Sequence, residues 1–195
     1  MFIPHNRRSI RLKGYNYSQS GLYFVTICTL KKQYIFGDIE NGKMVLSPEG
    51  IVVGQCWNEI PEHFPNVVLH DFVIMPNHIH GIIEITDTET TGVKHAETPS
   101  NVGAKHFSPL HPVHTPQSLA SIVSCEQIRP TGTSRTVGSI VRGFKIGVTK
   151  NIGFSPWQRN YYETIIRNDN SYKTIAHYIE QPPAKWEFDR FYGTK

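Results

Sequence analysis

Two histidines stand one residue apart in the run "FVIMPNHIHGIIEI", Phe72 to Ile85, and they are the first residues here able to do chemistry. If the run is a strand, alternate side chains share a face, so His78 and His80 point the same way, with Ile82 and Glu84. Two imidazoles on one face can hold one divalent ion and leave positions open to water and substrate oxygens. The pair alone equally suits histidines at a wet sheet end, because two ligands do not make a site.

Tyrosines are the second group. Of the nine in the chain, Tyr161, Tyr162, Tyr172 and Tyr178 follow the aperiodic middle of the chain in positions that suit a site. A phenol with an ordinary pKa of about 10 is a weak nucleophile at neutral pH, and a neighbouring cation that stabilises developing charge supplies what it lacks. Tyr172, Ile175 and Ile179 share one helical face and read as a packing stripe. Tyr178 lies at the margin of that stripe, where its hydroxyl stays accessible. Tyr161 and Tyr162 fall in a predicted strand and read as packing residues, although one of them could stack on a base.

Cations form the third group. Arg7, Arg8, Arg11 and Lys13 precede "KGYNY", whose Tyr15 and Tyr17 suit stacking on unpaired bases, and Arg142 with Lys145 forms a second basic strip. Either set can also be ordinary solvated surface. The net charge of +4 permits a nucleic-acid partner without demanding one. Cys28, Cys56 and Cys125 are far apart and form no CxxC pair, which argues against a zinc or redox centre.

The elements that must position these groups follow from periodicity. "GLYFVTICT", Gly21 to Thr29, reads as a central strand, and Asn41-Gly42 sits between two short apolar segments as a hairpin turn. Val53, Trp57, Ile60 and Phe64 recur at helical spacing from Pro48, with Pro61 as the expected stop. "NVVLHDFVIM" and "HIHGIIEI" predict antiparallel strands joined at Pro76-Asn77. From about Thr86 to residue 134 periodicity vanishes into Thr, Ser, Pro, Gly and His, which predicts a long insert in which His95, His106, His111 and His114 are solvated loop residues.

Beyond the insert, Val137, Ile140, Val141, Phe144 and Val148 trace one helical face, opposite Arg142, Lys145 and Thr149. "PWQRNYYETIIR" predicts a strand, and "DNSYKTIAHYIEQPP" a last helix capped near Asp169 or Asn170 and stopped by Pro182-Pro183. Without the hairpin and last helix the order is β-α-β-β-α-β, an α+β ferredoxin-like antiparallel sheet in one domain spanning residues 1–195. No apolar run approaches the ~20 residues of a membrane span, and no secretory leader is evident. A cytoplasmic, nucleoid-associated protein is expected.

The segments "RLKGYNYSQSGLYFVTICT", "FVIMPNHIHGIIEI", "VGSIVRGFKIGVTK" and "WQRNYYETIIRNDNSY" together resemble the REP-associated, single-tyrosine transposase-like proteins of bacteria, within the HUH nuclease group. The resemblance covers nearly the whole chain outside the insert. It implies that His78 and His80 bind Mg²⁺ or Mn²⁺, and that a tyrosine in a segment like "HYIEQPPAKW", here Tyr178, attacks single-stranded DNA to leave a 5′-phosphotyrosine. It also implies hairpin-forming repeats as substrate and a monomer or homodimer as the acting form. Relatives carry Asn or Gln one turn after the tyrosine as a further metal ligand, whereas this chain has Pro182 there. Gln181 is then the nearest substitute ligand. The alternative is a catalytically decayed or non-catalytic DNA- or RNA-hairpin-binding protein. A zinc hydrolase is disfavoured, since neither HExxH nor a cysteine-rich ligand set is present.

Overall fold

The computed structural model describes residues 19–87 and 135–192. The basic N-terminal stretch with Arg7, Arg8, Arg11, Lys13, Tyr15 and Tyr17, and all but the edges of the insert with its four histidines, lie outside the described residues.

Strand β1 (Gly21–Cys28) is followed by a hairpin of β2 (Gly37–Glu40) and β3 (Lys43–Leu46), then α1 (Pro48–Asn58) and one-turn α2 (Ile60–His63). Next come β4 (Val67–Met75), β5 (His78–Ile85), α3 (Val137–Ile152), β6 (Tyr162–Ile166) and α4 (Asp169–Glu180). A 3-10 segment, Pro182–Phe188, follows directly. The main sheet has the order β4-β5-β1-β6, every pair antiparallel, while β2 and β3 form a separate ribbon. This is the expected ferredoxin-like α+β sheet with an added hairpin and a C-terminal helix.

Period-two patterning gives the sheet two buried faces. Tyr23, Val25 and Ile27 of β1 join Ile79, Ile83 and Ile85 of β5 in the main core, closed by Val53, Trp57, Ile140, Phe144 and Val148 of α1 and α3. Ile82 and Ile166 point to the opposite face, where they meet Ile179 of α4 with Phe24, Tyr172 and Ile175 around them. His78, His80, Ile82 and Glu84 therefore belong to the α4 side, as strand alternation requires.

Two predicted boundaries move. Pro61 does not end helical structure: it occupies the first turn of α2, where its missing N–H leaves no bond unmade. The α4 cap is Asn168, one residue before the expected pair, and its side-chain oxygen accepts the Ser171 N–H at 2.8 Å. The hairpin turn is as expected, with Asn41 and Gly42 both at positive φ, 51° and 72°.

Gly81 separates the histidines from the rest of β5 for a packing reason. A Cβ built there would lie 2.3 Å from Trp57 Cζ2, so the indole can lie against the strand only because position 81 has no side chain. Gly81→Ala should destabilise the fold by about 1–3 kcal/mol through overpacking, measured as a lower urea midpoint with an unchanged m-value. An unchanged midpoint would mean that Trp57 yields freely.

Candidate active site

Both histidines sit at the middle of the sheet, where β5 is flanked on both sides: His78 opposes Cys28 and Met75, and His80 opposes Thr26 and Val73. They are 0% and 1% exposed. Burial drives both imidazoles toward the neutral form. The His78 pKa lies well below its ordinary value through desolvation, with the His80 and Lys32 charges adding to it, and desolvation brings His80 down from 6.5 to about 4.

Neutral imidazoles have one donor and one acceptor each, so their partners decide which nitrogen is free. The Asn77 amide nitrogen donates to Phe191 O at 2.8 Å and Lys32 O at 3.2 Å, which directs its oxygen at His78 Nδ1, 2.8 Å away. That oxygen can only accept, so His78 carries its proton on Nδ1 and presents a bare Nε2. This Nε2 lies 2.9 Å from His80 Nε2, and His80 Nδ1 lies 2.8 Å from Thr26 Oγ1. The threonine hydroxyl can donate or accept, so His80 can carry its proton on either nitrogen.

A third group reaches the pair from beyond α4. Asp189 Oδ2 lies 3.9 Å from His78 Nε2, and the aspartate side chain is only 4% exposed. Its other oxygen accepts the Phe191 N–H at 2.6 Å. Desolvation raises the Asp189 pKa, opposed by that hydrogen bond and by the Lys32 charge. One donor atom from each of His78, His80 and Asp189 falls within 4.8 Å of the others.

The donor set fits a divalent cation. With Nδ1–H on both rings, two Nε2 lone pairs and a carboxylate oxygen face one point, an arrangement that is repulsive without a positive charge. The Asn77 and Thr26 bonds are the outer contacts that orient ligating imidazoles. Two nitrogens and one carboxylate suit Mn²⁺, and the oxygen-rich remainder that Mg²⁺ prefers would have to come from water or substrate.

Tyr178 completes the cluster. Its hydroxyl lies 3.3 Å from His80 Nε2, and its ring meets His80 and Phe24 edge-on at 5.2 and 6.3 Å. The residue is nevertheless 43% exposed, so a ligand can approach the hydroxyl. Burial raises the phenol pKa, the Asp189 carboxylate raises it further, and the Arg190 guanidinium acts in the opposite sense.

The other expected residues are placed as follows. The Gln181 amide nitrogen contacts His177 Nε2, on a residue 70% exposed, and it is Asp189 whose carboxylate stands beside the histidines. Arg142 is exposed on α3. Lys145 instead turns its ammonium into the chain before β6, donating to Gln158 O at 2.8 Å and Asn160 O at 3.4 Å, and burial lowers its pKa to about 8. Its ammonium braces that segment, while Arg142 faces outward from α3. Tyr172 hydrogen-bonds His70 and Asp71, and Tyr161 donates to Glu163, whereas Tyr162 is partly exposed on the α4 face. Asn77, Thr26 and Asp189 had no distinguishing signal beyond the Pro-Asn turn.

Comparison with known proteins adds a family and a fold. No family model matches the sequence. An uncharacterized protein of Haemophilus influenzae (strain Rd KW20) is 46% identical over 193 residues, covering 96% of this chain and 94% of its own. The chain belongs to the family of that protein. Among solved structures, a REP-associated tyrosine transposase bound to a REP hairpin superposes with a TM-score of 0.55 at 14% identity, over 92% of this chain and 76% of the other. That likeness is one of fold.

Two outcomes follow from the site. In EDTA, the unfolded chain takes up protons as pH falls through 6.5 while native His80 stays neutral down to about 4. The unfolded state thus binds more protons across that window, and stability must fall with pH. Urea titrations should show a loss of about 3 kcal/mol from His80 alone, and His80→Gln should flatten that part of the profile. Separately, Asp189→Asn should weaken Mn²⁺ binding by about tenfold or more in calorimetry, whereas Gln181→Ala should leave it nearly unchanged.

Proposed function

We propose that this protein is a metal-dependent single-stranded DNA endonuclease and strand transferase of the transposase-like kind, with Tyr178 as nucleophile and hairpin-forming DNA as substrate. The observation that carries this reading is the convergence of the accessible Tyr178 hydroxyl with His78, His80 and Asp189. The fold shared with a tyrosine transposase bound to a REP hairpin supports it.

His78, His80 and Asp189 would hold Mg²⁺ or Mn²⁺, which supplies charge stabilisation at a phosphodiester oxygen. The chain's own residues do the rest. Asn77 and Thr26 keep both imidazoles turned toward the cluster, and Phe24 and His80 fix the Tyr178 ring by edge contacts. The Tyr178 oxygen attacks phosphorus while the bond to the 3′-oxygen breaks. The phenol gives up its proton and the departing oxygen takes one, leaving a 5′-phosphotyrosine and a 3′-OH. Because the phosphoryl bond is kept, attack by another 3′-OH reverses the step without an energy source.

Pro182 removes the side chain expected to complete the metal site one turn after the nucleophile. In this chain Asp189 offers an oxygen from farther along, which supports a competent centre over a decayed one. Such a protein would work on chromosomal DNA in the cytoplasm, as a monomer or homodimer. Among the described residues, no helix is long and apolar enough to cross a membrane.

The test mixes purified protein with labelled single-stranded hairpin DNA from beside its gene, in Mg²⁺, Mn²⁺ or EDTA, and resolves products on a denaturing gel. A metal-dependent covalent adduct with wild type, absent in Tyr178→Phe although that variant still binds DNA, is expected. An adduct that persists in Tyr178→Phe would remove Tyr178 from the role, and hairpin binding without any adduct would leave a binding protein.

A further inference from the structure

Thr26 of β1 lies between His80 of β5 and Tyr162 of β6 in the sheet register. Residues opposed across antiparallel strands share a face, so Tyr162 opens on the same side as His80, two strand spacings or about 10 Å away. Aromatic rings fill the interval. Tyr162 is 6.0 Å from Phe191, and Phe191 is 4.8 Å from His78, ring centre to ring centre.

Two exposed cations line this row. The Arg190 guanidinium lies 5.7 Å from the Tyr162 ring and 5.9 Å from Phe191, while Lys32 Nζ lies 5.8 Å from Phe191 and donates to Arg190 O at 3.4 Å. Neighbouring Asp189 does not neutralise Arg190, because its carboxylate is turned inward to His78 and the Phe191 N–H. The Arg190 charge also reaches the Tyr178 hydroxyl electrostatically. One guanidinium thus lies against an exposed aromatic ring and acts electrostatically on the proposed nucleophile, and the chemistry described above uses neither Arg190 nor Tyr162.

We propose that Tyr162, Arg190 and Lys32 form a subsite for single-stranded nucleic acid beside the histidine-aspartate cluster, with Tyr162 carrying an unpaired base and the two cations holding flanking phosphates. The proposal rests on the endonuclease reading and extends it to how the strand is presented. A base face is available to Tyr162 only when the base has left a duplex, so the ring selects unpaired strand. Arg190 now lies against two rings. A phosphate offers it charge-assisted hydrogen bonds, which are stronger than an exposed ring contact. The move would free the Tyr162 face as the strand arrives.

Binding can be measured apart from cleavage. Fluorescence anisotropy of a labelled oligothymidylate in EDTA would compare wild type with Tyr162→Ala, Tyr162→Phe and Arg190→Gln across a salt series. Tyr162→Ala should bind about tenfold more weakly, with Tyr162→Phe close to wild type. Arg190→Gln should lose affinity and reduce the log–log salt slope by about 0.7. Unchanged affinity in both Tyr162→Ala and Arg190→Gln, with thermal midpoints showing folded proteins, would overturn the subsite even if the covalent adduct forms. Affinity lost as predicted, with no adduct in any metal, would uphold the subsite and sink the endonuclease reading.

Discussion

Everything around the centre of this molecule answers one constraint: two imidazoles are buried side by side with their Nε2 atoms 2.9 Å apart. Water would solvate either ring freely, so placing them in the middle of a sheet requires a defined partner for each remaining nitrogen. Asn77 meets this for His78 and Thr26 for His80. Asn77 is itself held by carbonyls from Lys32 and Phe191, so the turn after β1 and the chain's last described residues are tied to the same point.

The sheet makes that burial possible. With β5 paired on both edges, its backbone is satisfied without water, and its side chains are free to divide between two interiors. The face turned to α1 and α3 is apolar and closely packed, with Trp57 lying over Gly81. The other face has a small apolar cluster under α4 and leaves its remaining area to the histidines. Stability comes mainly from the first face, which lets the second carry polar groups that a single-core sheet would exclude.

The route of the chain after α4 is equally consequential. Pro182 and Pro183 end the helix, and the 3-10 segment that follows leads to Asp189, Arg190 and Phe191 over the histidines. One short stretch thereby brings a buried carboxylate to the donor cluster and an exposed guanidinium to its rim. These opposite charges, adjacent in sequence, act on Tyr178 in opposite senses, on top of the larger effect of burial, which makes the phenol harder to ionise.

The sequence by itself determined the elements and their faces. Strand alternation put His78 and His80 on one side, helical spacing put the α3 stripe in the core, and Asn41-Gly42 marked the hairpin, because these patterns depend on local backbone geometry alone. Local signals were weaker at ends, hence the shift of the α4 cap to Asn168 and the helical turn that continues through Pro61. What only the tertiary structure decided is which side chains meet. Asp189 lies in an aperiodic stretch more than a hundred residues from His78, and the inward turn of Lys145 depends on where three carbonyls before β6 come to rest. Neither leaves a pattern along the chain, because a contact between distant residues is set by how the elements pack and not by their own periodicity.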